Sequence, residues 1–444
     1  MILNFSYLKF DFKKILQVLM TLFIFLIPFQ IKDIIYQAQF ISGKFSPYLT
    51  FELNFQDILF GFIVLIFGYL LLKKEINLEI NHMDIFLNSL LLILLLIVIQ
   101  TLFMGTDLLS FLKIFRILEC FILFIILQNA IFDKDEIKIV FMIAMALQVL
   151  IALLQYITQG SIGLHFLGES FLSSDSLGIA KVDILNKKFI RGYGTFLHPN
   201  IFSAFCAVAL FFAMSFWKRR KILVSMAIFW FLVGIFVGMS RSVILGMGVI
   251  LICAFLSREW REWRQWRQWR QYELSRSGKR KYILGILLGI FLILFLAGKN
   301  FDILKERFSF SDSATISERI LQIDISLEMI KKYPFGVGLG NFVNHMQEFS
   351  DEVLAPWQFQ PVHNFWLMLA TELGVLITFF ILLLGFYLFW QFWKMRNLFS
   401  FVLLLFIFIV SQFDHYFYDI YAGQMLIVIV FGIIASMKYE TISF

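Results

Sequence analysis

The sequence predicts an all-α, polytopic integral membrane protein with about twelve transmembrane helices and one large, partly helical loop outside the membrane. Three observations support this fold class. Sixty per cent of the 444 residues are hydrophobic, only 16% are charged, and the mean hydropathy is +0.83. A soluble chain would carry about a quarter charged residues. Because open sheets and irregular backbone cannot face lipid, we expect the spans to be helices.

The expected spans are apolar runs separated by polar loops, and a spanning helix needs about 20 apolar residues. The first run follows Lys9, Lys13 and Lys14 as in a signal sequence. It has no small-residue cleavage site, so we interpret it as an uncleaved span. The run at 365–393 is too long for one upright helix, and its first part should lie outside, along or just above the membrane surface. The runs lie at about 15–28, 57–72, 84–104, 109–129, 138–158, 200–217, 222–239, 242–257, 282–298, 365–393, 398–412 and 418–437.

Lys and Arg positions predict the orientation, because cytoplasmic loops carry an excess of both. With the N-terminus inside, every dense basic cluster falls on the cytoplasmic side, and both termini are cytoplasmic. The loops at 159–199 and 299–363 then fall on the periplasmic side of a single membrane domain, 1–444. The larger loop holds six basic and nine acidic residues. The inside clusters are Lys73–Lys74, Lys134–Lys138, Lys218–Lys221, the 258–281 segment, Lys394–Arg396 and Lys438.

The 258–281 segment contains a three-residue repeat in which Trp260, Trp263, Trp266 and Trp269 are each followed by Arg. We interpret it as a cytoplasmic interfacial helix with Trp at headgroup depth and Arg on anionic lipid. A nucleic-acid or partner site is the alternative. The net charge of +7 does not favour nucleic acid, because the basic residues lie in short loops between apolar runs. The three cysteines, all inside apolar stretches, indicate no disulfide framework and no metal cage.

Four residues that could carry chemistry fall at the outer membrane face: Arg191, Arg241, Arg319 and His363. Arg241 is the strongest candidate for a functional role, because it lies in a turn between two apolar helices that is too short for free hydration. It could instead be a snorkelling anchor or the partner of a carboxylate. Arginine forks match phosphate oxygens, and several arginines beside one histidine suit a phosphorylated substrate. His363 is a candidate base, since its unperturbed pKa lies near working pH.

Three further residues are candidates for supporting the site: Asn364, Glu372 and Arg116. Glu372 could equally be an interfacial carboxylate. Arg116, with Lys113, could line a groove for a lipid headgroup, or it could form an internal pair with Glu119. The glycines of the PFGVGLG segment predict a turn, and no metal site is expected.

The remaining histidines carry weaker signals. We interpret His82, His165, His345 and His415 as loop histidines, and we assign no role to His198.

These motifs resemble those of the O-antigen ligase and polymerase family. The pattern comprises RGYGTFLHPN before a span, SRS at the next outer turn, and an arginine followed by PFGVGLGNF and HN before another span. It covers roughly residues 190–375. The family includes lipopolysaccharide O-antigen ligases, Wzy-type polysaccharide polymerases and bacterial protein O-oligosaccharyltransferases.

The resemblance implies a glycosyltransferase at the outer face of the bacterial inner membrane. The donor would be a glycan on undecaprenyl diphosphate, and the acceptor a hydroxyl of a glycolipid or glycan, most simply lipid A-core. In such families arginines hold the diphosphate and a histidine of the large loop serves the acceptor. That implies roles for Arg191, Arg241 and Arg319 on the diphosphate and for His363 on the acceptor. No cofactor, nucleotide or metal is implied, and the other partners would be membrane lipids.

Ligase activity is the favoured function, followed by polymerase and then protein O-oligosaccharyltransferase. A lipid-linked oligosaccharide transporter is the alternative outside the enzyme class. A transporter should show internal repeats and charges near the bilayer midplane, whereas the candidate site lies at one face. A channel or structural membrane protein would give no reason for the arginines and the histidine.

Overall fold

The computed structural model of the chain describes residues 11–41, 46–77, 84–104, 107–176, 178–184, 187–256, 313–395 and 397–436. The Trp/Arg segment at 258–281, the predicted span at 282–298 and the start of the large loop lie outside these residues.

Each predicted apolar run within the described residues forms helix, because long apolar side chains are good helix formers and polar residues cap the ends. Asp107, for example, accepts from the backbone N–H of Ser110 at 2.7 Å at the start of its helix. The α-helices are α1 (Phe12–Leu26), α2 (Phe55–Leu72), α3 (Asp84–Met104), α4 (Leu108–Gln128), α5 (Lys134–Thr158), α6 (Pro199–Ser215), α7 (Lys221–Gly238), α8 (Arg241–Leu256), α9 (Ser313–Lys332), α10 (Phe342–His345), α11 (Phe365–Leu373), α12 (Val375–Lys394), α13 (Leu398–Val410), α14 (Tyr416–Asp419) and α15 (Tyr421–Ser436).

The apolar run at 365–393 is divided as its length suggested. Gly374, at φ +86°, separates the nine-residue α11 from the 20-residue α12. A positive φ is readily adopted by glycine alone, so the break is built into the sequence at this position.

Within the described residues, five helices are long and apolar enough to cross a membrane: α2, most of α3, α5, α7 and α12. Shorter apolar helices are found in α6, α8, α13 and α15. Helix α4 has 21 residues but carries Lys113, Arg116 and Glu119. The chain is thus a largely helical protein with several potential membrane spans, and the count of twelve stays a prediction.

Two small antiparallel hairpins depart from the all-α prediction. Strand β1 (Lys32–Gln37) pairs with β2 (Thr50–Asn54), and β3 (Lys181–Ile184) pairs with β4 (Lys187–Ile190). Both lie in loops between helices, where short polar strands carry no strong periodic signal. They fold the loops back over the ends of the helices.

The main core surrounds α6, whose residues from Pro199 to Ala213 are all buried. Helix α6 packs against α5, α7 and α8. A second, smaller core lies where α9 and α10 meet α11, around Ile325, Met329, Phe342 and Met368. The described part of the large loop is therefore helical and packs as a folded unit on the helix bundle.

Candidate active site

Arg191 is fixed to the turn between α7 and α8. Its side chain is buried, and its Nε and Nη2 atoms donate to the carbonyl of Gly238 at 2.9 and 2.6 Å. Met239 then takes a left-handed conformation, with φ 47°, and Arg241 begins α8. Two arginines separated by 50 positions in the sequence therefore flank one turn.

A chain of hydrogen bonds extends from Arg191 to the loop before α14. The Arg191 Nη2 donates to Asn200 Oδ1 at 2.8 Å, and Asn200 Nδ2 donates to Asp414 Oδ2 at 2.8 Å. Asn200 is held at the start of α6, where its backbone N–H donates to His198 Nδ1 at 3.1 Å. The buried Asp414 carboxylate is thus linked to a buried arginine through a single amide.

His363 is oriented by a buried glutamine of α9. Its Nδ1 lies 2.8 Å from Gln322 Oε1, and because a carboxamide oxygen can only accept, Nδ1 must carry the proton. The Nε2 atom then keeps its lone pair. Arg319 precedes Gln322 by three residues on the same helix, and this spacing places both on one face. Helix α9 therefore presents an amide and a guanidinium toward one imidazole.

A second histidine, His415, packs against the first. The ring centroids of His363 and His415 are 5.2 Å apart, with an interplanar angle of 80°. His415 Nδ1 lies 2.8 and 2.9 Å from the two carboxylate oxygens of Asp419, one helical turn further on. The interpretation of His415 as an ordinary loop histidine missed this buried pair.

The two imidazoles have opposite pKa shifts. Burial, then the charge of His415, lower the pKa of His363 to about 3; Arg319 acts in the same direction and Asp414 opposes it. Burial also lowers the pKa of His415, but the ion pair and hydrogen bond with Asp419 outweigh it and raise the pKa above its usual value. At neutral pH, His363 is therefore uncharged and able to accept a proton, whereas Asp419 stabilises the cationic form of His415.

Arg319 carries a positive charge that the described residues leave uncompensated. Its half-exposed guanidinium makes no hydrogen bond or ion pair with another described residue, although its charge acts on both histidines. Arg319 and His363, which the sequence placed in one candidate site, are thus close enough to interact.

Glu372 lies behind the site and holds the glycine-rich segment. Its buried carboxylate accepts from the backbone N–H groups of Gly340 and Phe342 at 2.7 and 3.1 Å, and from the Tyr418 hydroxyl at 2.7 Å. All three are internal contacts, so Glu372 acts on the shape of the loop.

The glycine-rich segment crosses the end of α11 at backbone contact distance. A Cβ on Gly336 would lie 2.3 Å from the carbonyl oxygen of Glu372, and one on Gly374 would lie 2.5 Å from the carbonyl carbon of Phe335. The φ of Gly336 is also positive, at +91°. Only glycine satisfies both requirements.

Asn364 caps the helix that follows His363. Its Oδ1 accepts from the backbone N–H groups of Trp366 and Leu367 at 2.9 and 3.0 Å, and its Nδ2 donates to the carbonyl of Gln412 at 3.0 Å. The cap fixes where α11 begins and joins it to the loop that carries His415.

Arg116 belongs to a different cluster. Its guanidinium is buried, pairs with Asp57 and Glu119, and donates to the carbonyl of Glu52 at 3.0 Å. The ring of Tyr421 covers it, with 4.5 Å between Cζ and the ring centroid. Of the two readings that the sequence left open, the structure contains the internal Arg116–Glu119 pair, with Asp57 as an additional partner.

The sequence interpretation missed the polar residues that connect the site: Asn200, Gln322, Asp414, His415 and Asp419. One signal was present, since FDHYFYD interrupts an apolar stretch with two aspartates and a histidine, and His415 and Asp419 have i, i+4 spacing. Among the described residues, no three His, Cys, Asp or Glu side chains are grouped so that they could hold a metal ion.

Residues 226–382 match the O-antigen ligase family. This interval includes Arg241, Arg319, His363 and Glu372, whereas Arg191 and His415 lie on either side of it. No curated protein matches the chain. This match over residues 226–382 confirms the resemblance to the O-antigen ligase family that the sequence motifs indicated.

Proposed function

We propose that the protein transfers a glycan from undecaprenyl diphosphate to an acceptor hydroxyl at the outer face of the bacterial inner membrane. The observation that carries this proposal is the uncharged His363 beside the uncompensated Arg319, within the segment that matches the O-antigen ligase family. A neutral imidazole and a free guanidinium suit a hydroxyl nucleophile and an anionic leaving group, respectively.

The arginines would bind the diphosphate. The Arg319 guanidinium has no hydrogen-bond or ion-pair partner among the described residues. Arg241 begins α8 next to the turn that Arg191 holds through Gly238. Arg191 donates hydrogen bonds to that turn and to Asn200. Its role would therefore be to position the turn and to add positive charge to the diphosphate site. Fixed cations at the leaving group stabilise the charge that develops as the diphosphate departs.

His363 would receive the acceptor proton. Because Nδ1 of His363 donates a hydrogen bond to Gln322 Oε1, Nε2 is the atom that can accept a hydrogen bond from the acceptor hydroxyl. The pKa of His363 is lowered in the free protein by burial, His415 and Arg319. A bound diphosphate would offset the charge of Arg319, and a nearby negative charge favours the protonated imidazole. Donor binding would thereby make His363 a stronger base.

These groups account for every bond and proton in the transfer. The acceptor oxygen bonds to the anomeric carbon of the glycan, and its proton passes to His363 Nε2. The bond between the anomeric carbon and the diphosphate oxygen breaks, and undecaprenyl diphosphate leaves with the electron pair. No step requires a further reactant.

We assign the acceptor to lipid A-core, which makes the protein an O-antigen ligase. The same chemistry with a growing glycan as acceptor would be polymerisation, and with a protein hydroxyl it would be protein O-glycosylation. A deletion strain analysed by glycan gel separates these functions. Polymer retained on undecaprenol indicates a ligase, and a single-repeat glycan indicates a polymerase. A strain with unchanged lipid-linked and lipid A-linked glycans would contradict both.

The proposal requires the site to face the periplasm. Reporter fusions after Ser173 and after Asn344 should read periplasmic, and one after Arg270 should read cytoplasmic, because the basic clusters favour the inside. A periplasmic reading after Arg270 would place the site on the wrong face and overturn the proposal.

A further inference from the structure

His198 stands at the start of α6, and its imidazole caps that helix. Pro199, the first residue of α6, has no backbone N–H, so the first such group at this helix end is that of Asn200. This N–H donates to Nδ1 of His198 at 3.1 Å. The imidazole thus takes the place of the serine, threonine, aspartate or asparagine that usually caps a helix.

The cap fixes which ring nitrogen of His198 carries a proton. A nitrogen that accepts a hydrogen bond from an N–H uses its lone pair and holds no proton, so the N–H of this ring lies at Nε2. His363 has the opposite arrangement, because its Nδ1 donates to Gln322 Oε1 and its Nε2 keeps a lone pair. One imidazole therefore has a donor at Nε2, and the other has an acceptor there.

The contacts of its neighbours bring His198 to the proposed active site. Asn200, in the same turn, donates to Asp414 Oδ2 at 2.8 Å. His415 follows Asp414 in the chain, and its ring centroid lies 5.2 Å from that of His363. Burial lowers the pKa of His363, and the nearby His198 adds to that effect. The helix start at His198 and the proposed base thus belong to one polar cluster.

The proton on Nε2 decides what His198 can bind. An N–H cannot take the proton of the acceptor hydroxyl, so its partner must be an oxygen with a lone pair. Hydrogen bonds to an ionised oxygen are stronger than those between neutral groups. Arg191, which would add positive charge at the diphosphate, donates to Asn200 Oδ1 at 2.8 Å, two residues from this half-buried imidazole. A phosphate oxygen is therefore the partner that suits His198.

We propose that His198 binds the diphosphate of the lipid donor, with its Nε2–H as the hydrogen-bond donor to a phosphate oxygen. His198 would transfer no proton, and the diphosphate would still leave with the electron pair of the broken bond. The two histidines would then act on opposite reactants, His198 on the leaving group and His363 on the nucleophile. The inference rests on the proposed function and adds a binding residue to it.

Two amide substitutions separate this role from that of a helix cap. The shorter asparagine side chain reaches the position of the imidazole Nδ1. His198→Asn should therefore keep the bond from the Asn200 N–H and lose the donor at Nε2. The longer glutamine side chain reaches the position of Nε2, so His198→Gln should keep that donor and lose the cap. Binding and capping thus predict opposite rank orders for the two variants.

The test measures binding of undecaprenyl diphosphate by the full-length protein in nanodiscs, with undecaprenol as the probe that lacks phosphate. We expect His198→Asn to lose about 10-fold in affinity for the diphosphate, with binding of undecaprenol unchanged. It should unfold at the wild-type temperature, since asparagine is among the best helix caps. His198→Gln should keep most of the affinity and unfold at a lower temperature.

The matched control is His165→Asn, in the same loop at 159–199. The Nδ1 atom of His165 lies 3.0 Å from the carbonyl oxygen of Glu169, and this variant should bind both probes as the wild type does. Wild-type affinity of His198→Asn for the diphosphate would assign His198 to the cap alone and overturn the proposal. The same conclusion follows if folded His198→Gln binds the diphosphate more weakly than His198→Asn. Failure of the wild type to bind undecaprenyl diphosphate would instead overturn the proposed function, and the role of His198 with it.

Discussion

Arg116 and Arg319 show how the same side chain can serve two purposes in one protein. Arg116 is buried, and its charge is matched by Asp57 and Glu119, with an aromatic ring covering the guanidinium. Arg319 is half-exposed, and its guanidinium pairs with no other described residue. Its charge acts on two imidazoles. The described residues occupy the guanidinium of the first arginine, whereas among them none hydrogen-bonds to that of the second.

A charged residue in an apolar helix is therefore not by itself evidence of a binding site. What distinguishes the two arginines is whether the protein itself supplies the counter-charge. A buried ion pair costs desolvation and contributes to stability only with good geometry, so a matched cluster indicates architecture. An unmatched cation beside a neutral base indicates a binding site for an anion.

The largest effect is expected at His363. His363→Ala should reduce transfer by about 10²–10⁴-fold, the usual worth of a general base, while binding of undecaprenyl diphosphate persists because the arginines remain. The measurement is glycan transfer by purified protein beside donor binding. His345→Ala is the control, since His345 pairs with Glu348 in the loop before α11, and it should transfer at the wild-type rate. Near-normal transfer by His363→Gln would mean that His363 only orients the loop.

Arg319→Ala should come next, with a loss of about 10²–10³-fold in transfer, because one fixed donor to a developing charge is typically worth that much. Arg319→Lys should recover little, since lysine lacks the bidentate fork. Lys331→Ala tests the same helix at an exposed position paired with Glu328, and it should be neutral. Full activity of Arg319→Lys would reduce the role of this arginine to charge alone.

For Arg116 the expected effect is on stability. Arg116→Ala should lower the free energy of unfolding by about 3–5 kcal/mol, because it leaves Asp57 and Glu119 buried without their partner. Thermal unfolding in detergent measures the loss, and neutralising both carboxylates in the same variant should recover part of it. Protein that remains folded should still transfer glycan. A variant of normal stability with defective transfer would show that Arg116 acts in transfer, as Arg319 is expected to.

The smallest effect is a change in pH dependence. Gln322→Glu places a carboxylate beside Nδ1 of His363, which favours the imidazolium and should raise the low pKa of His363. The rate should then fall as the pH drops through the raised pKa, in a range where wild-type His363, with its pKa of about 3, is still unprotonated. Rate profiles between pH 5 and 8 test this, with Gln347→Glu in the loop before α11 as control. Superimposable profiles would show that Gln322 does not control the protonation of His363.

Sequence patterns predicted the helices well, because apolar runs of spanning length have few other stable structures. The length of the run at 365–393 predicted that it is not one upright helix, but it did not predict that the break falls at Gly374. The β1–β2 and β3–β4 hairpins were not predicted from the sequence, because such short strands depend on contacts with the helices beneath them.

The site was predictable in part. Arg319 and His363 could be grouped because both lie outside the expected spans, in the same loop. Gln322, which orients His363, lies in the same loop, whereas His415 comes from the loop before α14. Other buried polar contacts also join distant positions. Asp57 reaches Arg116 from 59 positions away, and Asn200 reaches Asp414 from 214 positions away. No local spacing encodes such pairs, whereas the i, i+4 spacing of His415 and Asp419 could have been recognised.

The crossing of the glycine-rich segment over the end of α11 sets a rule for engineering chimeras. Val337 donates to the carbonyl of Thr371 at 2.8 Å, Gly338 to that of Glu372 at 3.0 Å, and Val375 to that of Pro334 at 2.9 Å. These bonds join backbone to backbone across a space that admits no side chain at Gly336. If a loop from a related protein is grafted here to change the acceptor specificity, the whole segment from residue 334 to residue 375 must therefore come from one protein. The junctions then lie before residue 334 and after residue 375. A junction inside this interval would pair two unrelated backbones at the point where the chain tolerates least adjustment.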